Sequence, residues 1–141
     1  MKSPADLSAP KMIDSIDHIV LTVRDVDAAV GFYTRVLGMD AQVFAGGRKA
    51  LRFGDQKINL QALGQETRNH AGIGSGDLCL VTRWAPDRVL AHLVAEGVSI
   101  VEGPVAKSGA LSDTQGPITS IYFNDPDGNL IEVASYERNT P

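Results

Sequence analysis

The sequence predicts an α+β fold: two tandem βαβββ modules forming a curved, cup-like mixed sheet with helices on its outer face. Three observations predict it. The same order of β-like and helical runs is read twice along 141 residues, the two copies align by simple residue counting, and only two helices serve about eight strands. The last three strands of each copy are joined by short turns, which suits antiparallel meanders better than a doubly wound parallel sheet.

From Ile16 to Val23, IDHIVLTV is rich in β-branched residues, and its period of two sets Ile19, Leu21 and Val23 against His18, Val20 and Thr22. Asp25 then precedes a run in which Val26, Val30, Tyr33 and Leu37 recur at helical spacing and Gly38 stands at the C-cap, which predicts a helix of about three turns. Strands follow around Met39 to Phe44, Lys49 to Phe53 and Lys57 to Ala62, punctuated by Gly46-Gly47 and Gly54-Asp55. After the glycine-rich AGIGSG at 71–76 the grammar restarts. DLCLVT is a strand, PDRVLAHLVAEGV is a helix opening on Pro86 and closing on Gly97, and SIVEGPV, ITSIYF and NLIEVASY are strands. Asp125-Pro126-Asp127-Gly128 makes the final hairpin turn.

Residue arithmetic supports a duplication. Gly38 plus 59 is Gly97 and His18 plus 59 is Asp77, whereas Asn59 plus 73 is Glu132; the difference, 73 − 59 = 14, is an insertion that falls between Glu102 and Pro117. A loop lengthened beside a cup is a common place for substrate selection. The expected organisation is a flexible arm over 1–14 and one domain over 15–137, with module one at about 15–63 and module two at about 77–136.

Four strands that should be buried each carry one polar, metal-competent residue: His18, Asn59, Asp77 and Glu132. Their apolar flanks (Ile58, Leu60, Leu78, Ile131) take the opposite face, so the four project to one side of the sheet. A histidine or glutamate alone at such a place serves equally as a hydrogen-bonded strand residue; its repetition in both halves points to a site. An imidazole, carboxylates and an amide oxygen form a hard set suited to Mn²⁺, Mg²⁺, Fe²⁺ or Ni²⁺, with Zn²⁺ also accommodated. Arg52 and Tyr122 are candidate contacts for an anionic or polar substrate.

The other candidates read as structural. His70 lies in a polar loop, His92 on the second helix has no acidic partner one turn on, and Trp84 suits a core or interface. GIGSG precedes a strand rather than opening a helix, which excludes a phosphate loop, and Ser108, Ser112 and Ser120 lack a nucleophile-elbow context. The net charge of −4 gives no footprint for nucleic acid or an anionic membrane, and no apolar run approaches the ~20 residues of a membrane-spanning helix. Cys79 is the only cysteine, which rules out an intrachain disulfide and a cysteine-based zinc site and suits a reducing cytoplasm.

IDHIVLTVRDVDAAVGFYTRVLGM and SIYFNDPDGNLIEVASY resemble the opening and closing signatures of the vicinal oxygen chelate superfamily of glyoxalases, bleomycin-resistance proteins and extradiol dioxygenases, over about Ile16 to Tyr136. GRKALRFGDQKINL, EGPV and GPITSIYF are further similar to the subgroup containing glyoxalase domain-containing protein five and bacterial virulence-associated proteins. The resemblance implies metal ligands from the first and last strands of each module. His18 matches the first-module histidine and Glu132 the last-strand glutamate; Asp77 stands where a second-module histidine is usual, and Asn59 where glyoxalase I has a glutamate. An amide does not titrate, so Asn59 is no proton-moving base. One histidine with two carboxylates also departs from the two-histidine, one-carboxylate sets of extradiol dioxygenases and fosfomycin-type thiol transferases.

The expectation is a glyoxalase-like, metal-dependent lyase or isomerase with His18, Asp77 and Glu132 on a divalent metal, Glu132 or Asp77 moving the proton, and Asn59, Arg52 and Tyr122 meeting a small substrate. A thiol cofactor has no support in the sequence. The alternatives are a bleomycin-resistance-like binding protein and a dioxygenase. A homodimer is expected, with the cup built either within one chain or across two.

Overall fold

The computed structural model describes residues 11–137; residues 1–10 of the expected flexible arm lie outside the described residues. The chain runs β1 (His18–Val23), α1 (Val26–Leu37), β2 (Asp40–Phe44), a 3₁₀ turn (Ala45–Gly47), β3 (Arg48–Phe53), β4 (Gln56–Ala62), β5 (Asp77–Val81), α2 (Pro86–Ala95), β6 (Ile100–Lys107), α3 (Ser112–Gln115), β7 (Ile118–Asn124) and β8 (Leu130–Tyr136). Within the chain the strands form two separate four-stranded sheets, ordered β1-β4-β3-β2 and β5-β8-β7-β6. In each, the first and last strands of a module pair in parallel and the rest are antiparallel.

Local chemistry sets the elements. The Asp25 carboxylate accepts from Ala28 N at 3.1 Å and caps α1 at its start, and Gly38 ends it in the left-handed region at φ 66°. Pro86 opens α2, and Gly97 at φ 77° follows its last turn. The insertion is only partly loop: β6 runs on to Lys107, α3 adds one turn, and the Tyr136 hydroxyl accepts from Leu111 N at 2.9 Å.

The duplication holds to the level of strand register. Val20 lies beside Asn59 and Cys79 beside Glu132; 20 + 59 = 79 and 59 + 73 = 132, so both pairs are equivalent. Even the anchors repeat. Gln56 donates through Nε2 to Ile16 O at 2.9 Å, and its counterpart Asn129 (56 + 73) accepts from Gly76 N at 2.7 Å, each tying down the approach to its module's first strand.

One core joins the halves. Leu21, Val23, Leu51, Ile58 and Leu60 line the helix side of the first sheet, and Ile121, Phe123, Ile131 and Val133 that of the second, in a single buried cluster. At the junction the Tyr33 hydroxyl donates to Asp125 at 2.7 Å, Arg24 contacts Asp127, and Arg35 reaches Glu96 at 2.7 Å. Burial, followed by the Asp125 carboxylate, pushes the Tyr33 phenol far above its ordinary range.

Gly76 is squeezed at the same junction. A Cβ there would sit 2.6 Å from Leu21 Cδ1 and 2.8 Å from Asn129 Oδ1. Gly76→Ala is therefore expected to destabilise the fold by about 2 kcal/mol, because both neighbours are themselves buried. An unchanged midpoint in urea would show that the neighbours relax freely.

Candidate functional site

The face of each sheet opposite the helices carries the polar residues. In the first sheet, strand register aligns His18, Lys57, Arg52 and Asp40 in one cross-strand row and Val20, Asn59 and Ala50 in the next. His18 and Asn59 thus share a face but stand one pleat apart, with Lys57 as the direct neighbour of His18. The His18 ring is exposed, and its Nδ1 meets Asp17 Oδ2 at 2.8 Å, which leaves Nε2 available to a ligand. That contact holds the Asp17 carboxyl below the usual carboxylate range.

Asn59 is 3% exposed and its Oδ1 has no hydrogen-bond partner, the one such buried side-chain atom among the described residues. Beside it, Gln61 donates to Thr22 Oγ1 at 2.8 Å. Arg52 is exposed on this same face, where the sequence places it. Lys57 and Arg48 flank the Phe44 ring at 3.9 and 4.9 Å, so the surface is basic around an aromatic patch.

The second sheet presents acids instead. Cys79, Glu132, Tyr122 and Glu102 form one cross-strand row, with Asp77 one pleat beyond Cys79. Ser120 Oγ donates to Glu132 Oε2 at 2.5 Å, and Cys79 and Tyr122 flank Glu132 on the two neighbouring strands. Glu132 is half-buried, and the Ser120 hydroxyl orients its carboxylate. Desolvation, then Glu132, pushes the Tyr122 phenol up to about 12.

Partial burial, and after it Glu132, pushes the Cys79 thiol up to about 11. The rate of alkylation by iodoacetamide is accordingly expected to be low at neutral pH and to climb roughly tenfold per pH unit until that range is reached. Glu132→Gln removes a negative charge that opposes the thiolate, so it should move the profile to lower pH. A profile centred on an ordinary thiol pKa would refute this environment.

The period-two rule assigns a face to Asp77 and Glu132, and extending it by one pleat from Asp77, or across the strands from Glu132, reaches Cys79 and Ser120. Neither is read from the sequence as a site residue. Structure also separates what the pattern grouped: His18 and Asn59 lie on the first sheet, Asp77, Glu132 and Tyr122 on the second. Among the described residues, no three His, Cys, Asp or Glu side chains of one protomer are grouped so as to hold a metal ion.

The sequence model of the Glyoxalase/Bleomycin resistance protein/Dioxygenase superfamily matches residues 15–133. The chain belongs to that superfamily. It is 47% identical over 132 residues to virulence protein STM3117 of Salmonella typhimurium, covering 92% of this chain and 89% of that protein. It is 48% identical over 128 residues to the glyoxalase domain-containing protein RDO1 of Mycosarcoma maydis, covering 89% and 70% respectively. An integron cassette protein from the mobile metagenome of V. cholerae has the same fold with a TM-score of 0.82 and 48% identity, covering 92% of this chain and all (100%) of that one. The order of elements and the two mixed sheets are those of the glyoxalase-type fold.

No helix among the described residues is long and apolar enough to cross a membrane.

Proposed function

We propose that this chain is a metal-dependent, glyoxalase-like enzyme of the cytoplasm that acts, as a homodimer, on a small anionic or polar molecule, and that its site is assembled from two chains. One observation carries the reading. Two half-sites of opposite charge lie on equivalent faces of a duplicated fold, each beside a strand, β1 or β5, that has a free edge. A symmetric dimer that sets the basic face of one chain against the acidic face of the other completes both halves twice.

The residues do not fit a cation within one protomer. Across two chains they do: His18 offers Nε2, and Asp77 and Glu132 of the opposite chain offer carboxylates, a hard set with the right chemistry for Mn²⁺, Ni²⁺, Fe²⁺, Zn²⁺ or Mg²⁺. A divalent ion held there supplies Lewis-acid stabilisation of a substrate oxyanion. The protein's own groups do the remainder. Glu132, oriented by Ser120, or else Asp77, takes and returns a proton; Arg52 draws in an anionic group; Asn59 presents an amide that binds without titrating.

The deciding experiment is metal analysis of protein purified without chelator, paired with light scattering. A dimer whose thermal midpoint rises on adding Mn²⁺ or Ni²⁺, and fails to rise in His18→Ala, supports the reading. An indifferent midpoint for all five metals opposes it.

A second reading is favoured by one specific observation. The Ser120 hydroxyl already occupies one oxygen of the Glu132 carboxylate, at 2.5 Å, as in a non-catalytic cup that binds or sequesters a small molecule. A dimer that binds ligand with no metal requirement would favour it.

A further inference from the structure

The two halves of the duplication meet at two equivalent junctions, and they differ in how far they are filled: a cleft of about 290 Å³ remains beside the first, lined by Phe32, Arg35 and Asp125, and a larger one lies at the second. Tyr33 bonds Asp125 across the first; its counterpart at the second is His92 (33 + 59), which instead contacts Val36 O at 2.7 Å. The second junction is left as a cleft of about 550 Å³, walled by Val36, Met39 and Phe53 from the first half and Leu80, Val89 and Leu93 from the second. Val81 at 64% exposure and Trp84 at 37% stand at its rim.

The rim is also a strand edge. Leu130 N bonds Gly76 O and Thr82 N bonds Ala134 O, so the even-numbered backbone positions of β5 serve β8. The N–H and C=O groups of Cys79 and Val81 consequently point to the open side, where an extended segment would satisfy them.

The same chain carries an extended apolar segment with nothing over it. Met12, Ile13 and Ile16 are 94%, 72% and 62% exposed as they lead into β1, and Ile16 is held only through its carbonyl by Gln56.

We propose that residues 11–17 of one chain lie antiparallel along the free edge of β5 in a second copy and roof the cleft beside it. The register follows from the across-chain site, on which this inference rests. Since the modules repeat at an offset of 59, a symmetric assembly relates β1 of one chain to β5 of the other by a local twofold, with His18 beside Asp77. Counting outward from that pair (18 + 77 = 95) sets Ile16 opposite Cys79 (16 + 79 = 95) and Asp14 opposite Val81 (14 + 81 = 95), next to the cationic Arg83. Ile16 then falls on the Cys79 side of the strand. Ile13 falls opposite Thr82 (13 + 82 = 95), on the side of the cleft.

The native cysteine supplies the test. A chain carrying Ile16→Cys and Cys79→Ser is mixed with the wild-type chain, allowed to exchange, and oxidised with copper phenanthroline. The expected product is a disulfide-linked species of twice the chain mass on non-reducing gels. A mixture that sediments as a dimer yet yields no cross-link overturns the inference, as does a wild-type protein that sediments as a monomer. Ile13→Asp with Ile16→Asp gives an independent reading, because these residues are 72% and 62% exposed in their own protomer: the dimer dissociation constant should rise at least tenfold with the monomer still folded, and an unchanged constant overturns the inference. Metal titration separates the two ideas. Cross-linked dimers that bind no divalent ion sink the enzymatic reading and leave the segment's placement standing, whereas metal-binding dimers that fail to cross-link do the reverse.

Discussion

Glu132→Ala is expected to lower the affinity for Mn²⁺ or Ni²⁺ by at least about a hundredfold, whereas Ser120→Ala lowers it by only about tenfold. The difference reflects the distinct tasks of the two side chains. On the proposed reading Glu132 supplies a carboxylate oxygen to the metal, and no neighbour replaces it: Asp77 is one pleat away and Cys79, beside it, is held as the thiol. Ser120 donates to Glu132 Oε2 at 2.5 Å and orients the carboxylate. Losing that bond frees the carboxylate to rotate and leaves its charge in place. Isothermal titration of the three proteins at matched dimer concentration reads the order directly. Equal affinities for the wild type and Glu132→Ala would remove Glu132 from the ligand set, and with it the metal-dependent reading. If Ser120→Ala were as damaging as Glu132→Ala, the hydroxyl would have to be a ligand itself.

Much of this arrangement is legible in the sequence because it rests on local rules. Asp25 and Gly38 bracket α1 by capping chemistry, and the alternation through His18–Val23 assigns its two faces. Residue counting alone recovers the equivalence of Asn59 and Glu132. Register is different, since it depends on how a helix crosses back over the sheet; the crossover in each half sets Lys57, not Asn59, beside His18. The separation of the half-sites was equally hidden. Alternation shows which face a residue takes, but it carries nothing about whether two sheets join within a chain or between chains. The Ser120–Glu132 contact joins neighbouring strands through a hydroxyl, a residue type so common in strands that no pattern singles it out. Met12 and Ile13 carry no periodic signal, and their exposure, with that of Ile16, is visible only in the structure.

The largest effect on stability should come from Asp125→Ala, at roughly 4 kcal/mol, or a fall of about 10 °C or more in thermal midpoint. Asp125 is 5% exposed, and its two oxygens accept from four donors: the Tyr33 hydroxyl at 2.7 Å, Asp127 N and Asn129 N at 2.9 Å, and Asn129 Nδ2 at 2.8 Å. Truncation strands all four donors in a place water reaches poorly, and each then carries its desolvation penalty. Tyr33→Phe removes one donor and leaves three on the carboxylate, so about 1 to 2 kcal/mol is expected from it. In the double variant the loss should fall short of the sum, because the hydroxyl left stranded by Asp125→Ala is gone. Urea unfolding of the four proteins completes the cycle; an additive result would mean that the 2.7 Å contact contributes nothing. The same variants bear on assembly. Tyr33 and Asp125 hold α1 against the β7–β8 turn and so fix the angle between the two sheets of a protomer. A symmetric dimer needs that angle to bring two half-sites together twice, so Asp125→Ala should weaken the dimer even at temperatures where each chain remains folded.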